Sequence, residues 1–154
     1  MKTQQTDINM KLTEHFTLRE MVASGTAVRL EIKNVPSAAA IDCMRALCEQ
    51  VLEPMRRRFG VIRVTSGYRC RALNTAVGGV KNSQHMLGEA ADIHVSSLEQ
   101  AQVMMAYVER NLDFDQLLLE KVMATGCCWL HISYVAQPGR RPNRRMVKEV
   151  RMRS

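Results

Sequence analysis

The sequence predicts an α+β fold, in which one domain combines a mainly antiparallel sheet with flanking helices. Its 154 residues suit a single hydrophobic core. Apolar residues make up 46% of the chain, so a sizeable core can be buried. Helical patterns come first along the chain, and strand-like patterns follow with one helix between them, which is the order typical of this fold class.

Two capping boxes mark helix starts. Thr17 with Glu20 predicts a short helix from residue 18, and Ser97 with Gln100 predicts a helix that runs to about Arg110. Each pair can satisfy backbone N–H groups that the first helical turn leaves without partners.

A longer helix is predicted after Ser37, where apolar residues recur at helical spacing. Pro54 is expected to kink or end this helix, and Gly60 ends the pattern. Alternating or apolar runs then predict four strands and one edge strand. They are VIRVTSGY from Val61, AADIHV ending at Val95, Phe114 to Glu120, Cys127 to Val135, and an edge strand over 144–152. A loop rich in Gly, Asn and Ser is expected over about 72–84.

The net charge of +7 is concentrated near the end of the sequence. Residues 140–153 contain seven basic residues and one acid, which gives +6 and leaves +1 for the rest of the chain. A basic tail of this kind favours contact with an anionic polymer, and a merely solvated tail is the equal alternative. We expect no specific nucleic-acid binding, because there is no recognised motif and no basic stripe along the body.

Several classes of protein are not expected. No apolar run reaches the ~18 residues of a membrane span, so membrane insertion is not predicted. The first residues lack the apolar segment of a signal peptide, which predicts cytoplasmic synthesis. Five Cys without a CxxC pair argue against a disulfide framework or a Cys-rich zinc site. The oligomeric state is left open, with a monomer as the expectation.

The segment SQHMLGEAAD carries a candidate metal site. His85 and Asp92 are seven residues apart across Gly88, and WLHIS supplies His131 on a later strand. Two His and one carboxylate give three protein ligands and leave a fourth position for water, as in catalytic zinc sites. On spacing alone, a structural role for such residues is the more common outcome.

The sequence around these residues favours a catalytic zinc site over a structural role. TSGYRCRALNTAVGGVKNSQHMLGEAADI resembles the zinc D-alanyl-D-alanine carboxypeptidases and phage endolysins of peptidase family M15, in the Hedgehog/DD-peptidase superfamily. The family pattern is Ser-x-His-x-x-Gly-x-x-x-Asp, followed later by Trp-x-His-x-Ser. It is met by Ser83, His85, Gly88 and Asp92, then by Trp129, His131 and Ser133.

This resemblance implies a Hedgehog/DD-peptidase-like fold with one zinc ion bound by His85, Asp92 and His131. It implies a zinc metallopeptidase that hydrolyses peptidoglycan stem peptides, as a D-Ala-D-Ala carboxypeptidase or an L-Ala-D-Glu endopeptidase. A phage or prophage lysis enzyme and a stand-alone peptidase both fit, and either would act on the cell wall once released. The alternative is a zinc-containing cell-wall-binding module without catalytic turnover.

The resemblance divides the chain into a zinc peptidase domain over 1–139 and a basic tail or edge strand over 140–154. Removal of the tail is then expected to leave the chemistry intact and to weaken binding to intact wall.

The resemblance also suggests which residues contact substrate. Arg69 matches the family arginine that holds a substrate carbonyl or carboxylate, a task for which a guanidinium offers two parallel donors. Tyr68, Ser83 and Gln84 are candidate substrate contacts. Packing beneath the sheet is the alternative for Tyr68, and bracing of the loop is the alternative for Ser83 and Gln84.

The general base departs from the family pattern. Several relatives have an acid or His two or three positions before the last zinc ligand, where this chain has Trp129 and Cys128. Glu120, at the end of FDQLLLE, is the preferred candidate, while Asp115 falls on the opposite strand face by alternation. His94 shares the strand face of the candidate ligand two residues before it and is the second choice.

Overall fold

A computed structural model describes residues 6–153 of the chain. The helices are α1 (Leu18–Val22), α2 (Gly25–Arg29), α3 (Ala38–Leu47), α4 (Glu53–Phe59), α5 (Arg71–Ala76) and α6 (Leu98–Asn111). The strands are β1 (Val64–Ser66), β2 (Ala90–His94), β3 (Gln116–Val122), β4 (Cys128–Ser133) and β5 (Met146–Met152). A π-helical turn, Cys48–Leu52, joins α3 to α4, and a 3₁₀ helix, Gln84–Leu87, precedes β2.

The five strands form one sheet in the order β1-β2-β4-β3-β5. All neighbours are antiparallel except β3 and β5, which are parallel. The architecture confirms the predicted α+β class with a mainly antiparallel sheet. Among the described residues, no helix combines the length and apolarity that a bilayer crossing requires.

One face of the sheet is packed into the core with the helices. Alternate residues of the three central strands are buried there: Ala91, Ile93, Leu117, Leu119, Leu130 and Ile132. Buried methionines of α3, α4 and α6, together with leucines and valines, complete the same cluster. Because side chains alternate between faces, the residues between these positions project from the other face. That second face carries the candidate metal ligands.

The long helical segment starts as predicted but passes through Pro54 without ending. Ser37 accepts a hydrogen bond from Ala40 N at 3.1 Å, and the helix continues through the π-helical turn into α4. Pro54 comes just after the π-helical turn, where the regular hydrogen-bond pattern of the α-helix is already interrupted. The segment ends at Gly60, which has φ +86° and supplies the left-handed conformation that ends the helix.

The strand predicted from Val61 is much shorter than its sequence pattern. β1 covers only three residues, because the chain after it turns against α1, where Tyr68 N donates to Met21 O at 2.7 Å. The loop predicted over 72–84 contains α5, so that expectation was wrong for its first part. The α2 helix was also not predicted; Ser24 caps it through a hydrogen bond from Ala27 N at 3.1 Å.

The basic segment after residue 139 is folded onto the body. Arg141 and Arg144 both donate to the fully buried Asp115, with Nη2 to Oδ2 distances of 3.0 and 2.8 Å. Arg140 pairs with the buried Glu89. Beyond these arginines the chain forms β5. Much of the positive charge of this segment therefore meets carboxylates of the same molecule. The edge strand predicted over 144–152 is present as β5, and the alternative of a merely solvated tail does not describe the segment.

Candidate metal centre

The loop that carries the first candidate ligand is fixed at both ends. Ser83 caps the 3₁₀ helix, its Oγ accepting from His85 N at 3.2 Å. Gly88 then reverses the chain with φ +76°, and a Cβ atom there would collide with the carbonyl oxygen of Ala40 in α3. The reversal carries the chain directly into β2, which holds Asp92. Glycine is therefore required between the two ligands for both conformation and space.

Sheet register brings the three candidate ligands together. Asp92 lies directly opposite His131 in the β2–β4 pair, and its Oδ1 is 2.9 Å from His131 Nδ1. Its Oδ2 is 3.5 Å from His85 Nε2. One ligand atom from each of the three residues lies within 4.8 Å of the other two. These residues are buried and can hold a single ion between them.

Hydrogen bonding selects the ligand nitrogen of His85. Its Nδ1 lies 2.7 Å from Gly67 O, and since a carbonyl only accepts, Nδ1 must carry the proton. Nε2, the nitrogen left to bind a metal, therefore faces Asp92. A backbone carbonyl on the outer nitrogen is a typical support of a metal-bound imidazole.

The chemistry of the donor set fits zinc. Burial acts to raise the pKa of the Asp92 carboxyl, but the neighbouring imidazoles of His131 and His85 hold it well below its usual range. An ionised carboxylate with two imidazoles is a common catalytic zinc set. These three residues are the predicted metal ligands, and the structure brings all three together.

Arg69 lies beside the candidate ligands and is held from three sides. Its Nη2 is 3.5 Å from Asp92 Oδ2, its Nε donates to Ser66 Oγ at 3.1 Å, and its Nη1 donates to Asn74 Oδ1 at 3.4 Å. Burial lowers the pKa of the guanidinium, while the charge of Asp92 acts in the opposite direction. Its planar fork is therefore fixed at the edge of the metal site.

Asn74 is a supporting residue that the sequence analysis missed. It is buried, and its Nδ2 donates to Val80 O at 2.9 Å. Gly79 lies so close to the Asn74 amide that a Cβ atom would overlap it. The same side chain thus braces both Arg69 and the glycine turn at residues 78–79. An Asn four residues before the Gly78-Gly79 pair was the available signal.

Glu120 reaches the site from β3. Leu118 lies opposite His131 in the β3–β4 pair, so alternation puts Glu120 on the face of the metal ligands. Its Oε1 is 4.0 Å from His131 Nδ1. Burial raises the pKa of the Glu120 carboxyl, and the charge of Asp92 acts in the same direction. His94 is exposed and does not line the pocket around the ligands.

A pocket of about 390 Å³ lies over the three ligands. Its wall includes Arg69, Glu120, Ser83, Trp129 and the turn at 77–80, with Val122 and Met152 completing it. No sequence motif indicates the last two, because their contribution depends on the pairing of β5 with β3. This geometry places a cation and an acid on the wall of the pocket that holds the ligands.

The remaining candidate contacts lie in different places. Tyr68 lines an adjoining pocket of about 230 Å³, which shares Arg69 with the first one. Gln84 does not line the metal pocket; its Nε2 donates to Glu89 Oε1 at 3.2 Å and braces the loop. Ser83 both caps the 3₁₀ helix and lines the metal pocket.

Comparison with known proteins identifies related sequences. The family model of Peptidase M15 matches residues 14–132. A stretch of 69 residues is 39% identical to the zinc D-Ala-D-Ala carboxypeptidase of Streptomyces albus G. That stretch is 44% of this chain and 26% of the relative, so the similarity covers about a quarter of the relative's length.

Proposed function

Because the chain belongs to peptidase family M15, we propose that it is a zinc peptidase that hydrolyses peptidoglycan stem peptides. The bond cut would be D-Ala-D-Ala, as in a carboxypeptidase, or L-Ala-D-Glu, as in an endopeptidase. The observation that carries this proposal is the buried group of His85, Asp92 and His131 in a pocket that also presents Arg69 and Glu120. A relative described as a zinc D-Ala-D-Ala carboxypeptidase supports it.

The proposed metal ligands are His85 Nε2, Asp92 and His131. Bound zinc would polarise the scissile carbonyl and acidify water, which are the usual contributions of this ion to peptide hydrolysis. Asp92 supplies the negative charge of the ligand set. Gly67 O keeps the His85 ring in the tautomer and orientation that direct Nε2 inward.

The other proposed roles follow from placement in the pocket. Arg69 binds the substrate carbonyl or carboxylate through parallel N–H donors. Glu120 accepts the proton of the attacking water and delivers it to the leaving amine. The raised pKa of Glu120 lies closer to neutral pH than that of an ordinary glutamate, which suits both proton transfers. Ser83, on the same wall, is placed to contact the peptide.

A cell-wall-binding module without turnover is the alternative function. It is favoured by Trp129 and Cys128, which occupy the positions where several relatives keep an acid or His. Cys128 packs against the core, so β4 supplies no base to the pocket. The position of Glu120, 4.0 Å from His131, favours turnover instead.

Digestion of purified, soluble muropeptides followed by mass spectrometry tests the proposed function. We expect a product that has lost its terminal D-Ala, or one cleaved after L-Ala, and the mass distinguishes the two bonds. A chelator should abolish the product and added zinc should restore it, in step with a zinc content of one ion per chain.

Asp92→Asn serves as the inactive control, and Glu149→Gln, at an exposed position outside the pocket, as the active one. Binding to wall fragments without any product from zinc-loaded protein would favour the binding module.

Arg69→Lys is expected to lower turnover about 10²-fold while zinc content stays unchanged. Lysine keeps the positive charge but loses the planar fork that Ser66 and Asn74 hold in place. Steady-state kinetics with parallel metal analysis measures both effects. Arg63→Lys, at an exposed position outside the pocket, is the matched control. Parental kinetics in the Arg69 variant would remove Arg69 from the reaction.

A further inference from the structure

Trp129 is the single tryptophan of the chain and lines the metal pocket. It lies two residues before His131 on β4, so both side chains project from the same face of the sheet. Within residues 6–153, its Nε1 is the one buried side-chain polar atom that lacks a hydrogen-bond partner. A buried donor without a partner is destabilising, so this N–H points to an acceptor in the working state of the site.

Glu120 is the acceptor that the fold supplies. It lies directly opposite Trp129 in the β3–β4 register, on the same face. The indole and the carboxylate both line the metal pocket. The indole N–H does not reach the geometry of a complete hydrogen bond. Because the two residues face each other across the β3–β4 pair, side-chain rotation would be the route to the bond.

The other polar groups of the pocket are less suitable. Arg69 offers donors only. The Asp92 carboxylate is already shared among His85, His131 and Arg69. Ser83 Oγ accepts from the backbone of the 3₁₀ helix. Glu120 keeps accepting capacity, because no hydrogen bond to its carboxylate is present among residues 6–153.

We propose that Trp129 is a positioning residue, whose Nε1–H donates to one carboxylate oxygen of Glu120 and leaves the other oxygen free to act in the pocket. This inference rests on the proposed function, because Glu120 matters most if the site turns over peptide. It also assigns a task to the indole at the position where several relatives keep their base. In this chain the base would come from β3, and β4 would supply the group that aims it.

Exchange of the indole proton tests the hydrogen bond without any assay of activity. In ¹⁵N-labelled, zinc-loaded protein a single indole cross-peak is expected, because the chain has one Trp. Glu120→Met fills similar space without an acceptor and should accelerate solvent exchange of this proton at least about tenfold. Glu120→Gln keeps an acceptor and should change it less, and the exposed Glu149→Met should leave it unchanged. Equal exchange in parent and Glu120→Met would overturn the proposal.

A double-mutant cycle tests the consequence for turnover. Trp129→Phe keeps the ring and removes the N–H, and it should lower kcat about tenfold with KM within about twofold. The same change in Glu120→Gln should have less than a twofold effect, because no base is left to position. A raised KM with equal losses in both backgrounds would mean that the indole contacts substrate, which overturns the proposal. If the parent shows no turnover, the proposed function fails, whereas the exchange experiment still decides the hydrogen bond.

Discussion

Glu120→Gln is expected to keep a full complement of zinc and to lose about 10²- to 10⁴-fold in kcat, the usual worth of a positioned acid–base group. The substitution keeps the shape of the side chain and removes its ability to take a proton. Zinc should be retained because Glu120 is outside the group of three ligands, 4.0 Å from His131 Nδ1. Steady-state kinetics on soluble muropeptides and metal analysis of the same sample measure the two effects.

Two further variants make this result specific. Glu149→Gln removes an exposed acid on the neighbouring β5, where residue 149 pairs with Leu119 rather than with Glu120. It should behave like the parent. His94→Gln tests the second candidate for the base. Near-parental turnover in Glu120→Gln, with zinc fully bound, would transfer the role to His94 or to no protein base at all.

A chain that ends at Gly139 is expected to lose its cooperative fold, contrary to the expectation from sequence that the tail is dispensable. The truncation removes β5 from the sheet and leaves the buried carboxylates of Asp115 and Glu89 without their arginines. Loss of one partner from a buried pair costs about 3–5 kcal/mol. Because Arg141 and Arg144 are partly exposed, we expect the loss of their pairing with Asp115 to cost about 3 kcal/mol, the lower end of this range. That loss is large beside a total stability of roughly 5–15 kcal/mol.

The contribution of Asp115 and its arginines to stability is expected to depend on pH. Burial acts to raise the pKa of the Asp115 carboxyl, but hydrogen bonds from Arg141 and Arg144 hold it well below its usual range. A carboxyl with a lowered folded-state pKa contributes stability that is complete above its unfolded value, about 3.9. The contribution is lost as the pH falls further. The pair should therefore stabilise the full chain undiminished at neutral pH.

Thermal unfolding followed by circular dichroism compares the truncated chain with two controls. A chain ending at Met152 keeps all of β5 and should unfold like the parent. The double variant Lys148→Gln and Arg151→Gln lowers the charge at exposed positions and should also stay folded. If a chain ending at Gly139 unfolds like the parent and is fully active on soluble muropeptides, the segment is not required for the fold or the chemistry.

Much of the fold was predictable because short-range signals agree with the tertiary structure. Each capping Ser or Thr that the sequence indicated caps a helix at that position. The predicted central strands correspond to β2, β3 and β4. The short helices α2 and α5 were not predictable from periodicity, because five or six residues show barely more than one helical turn. Their stability depends on packing that local sequence does not reveal.

The three candidate metal ligands were predictable from the sequence. The contacts that hold the surrounding residues in place were not. The three ligands lie in short sequence motifs, whose spacing can be recognised without knowledge of the fold. The parallel pairing of β5 with β3, the contact of Asn74 with Arg69, and the partners of Asp115 join residues distant in sequence. The net charge of the basic segment did not indicate how it folds, because the buried acids that pair with its arginines lie elsewhere in the sequence. Glu120 was reachable only through strand alternation and register.

The two loops that carry Arg69 and His85 are pressed against helices without any side chain between them. At Gly67 a Cβ would collide with the carbonyl of Met21, as one at Gly88 would with that of Ala40. Neither glycine takes part in chemistry, yet each transmits the position of a helix directly to the site. As related sequences diverge, α1 and α3 therefore cannot drift independently of the pocket. In this molecule the evolutionary freedom of two helices is limited by backbone contact rather than by the residues on their surfaces.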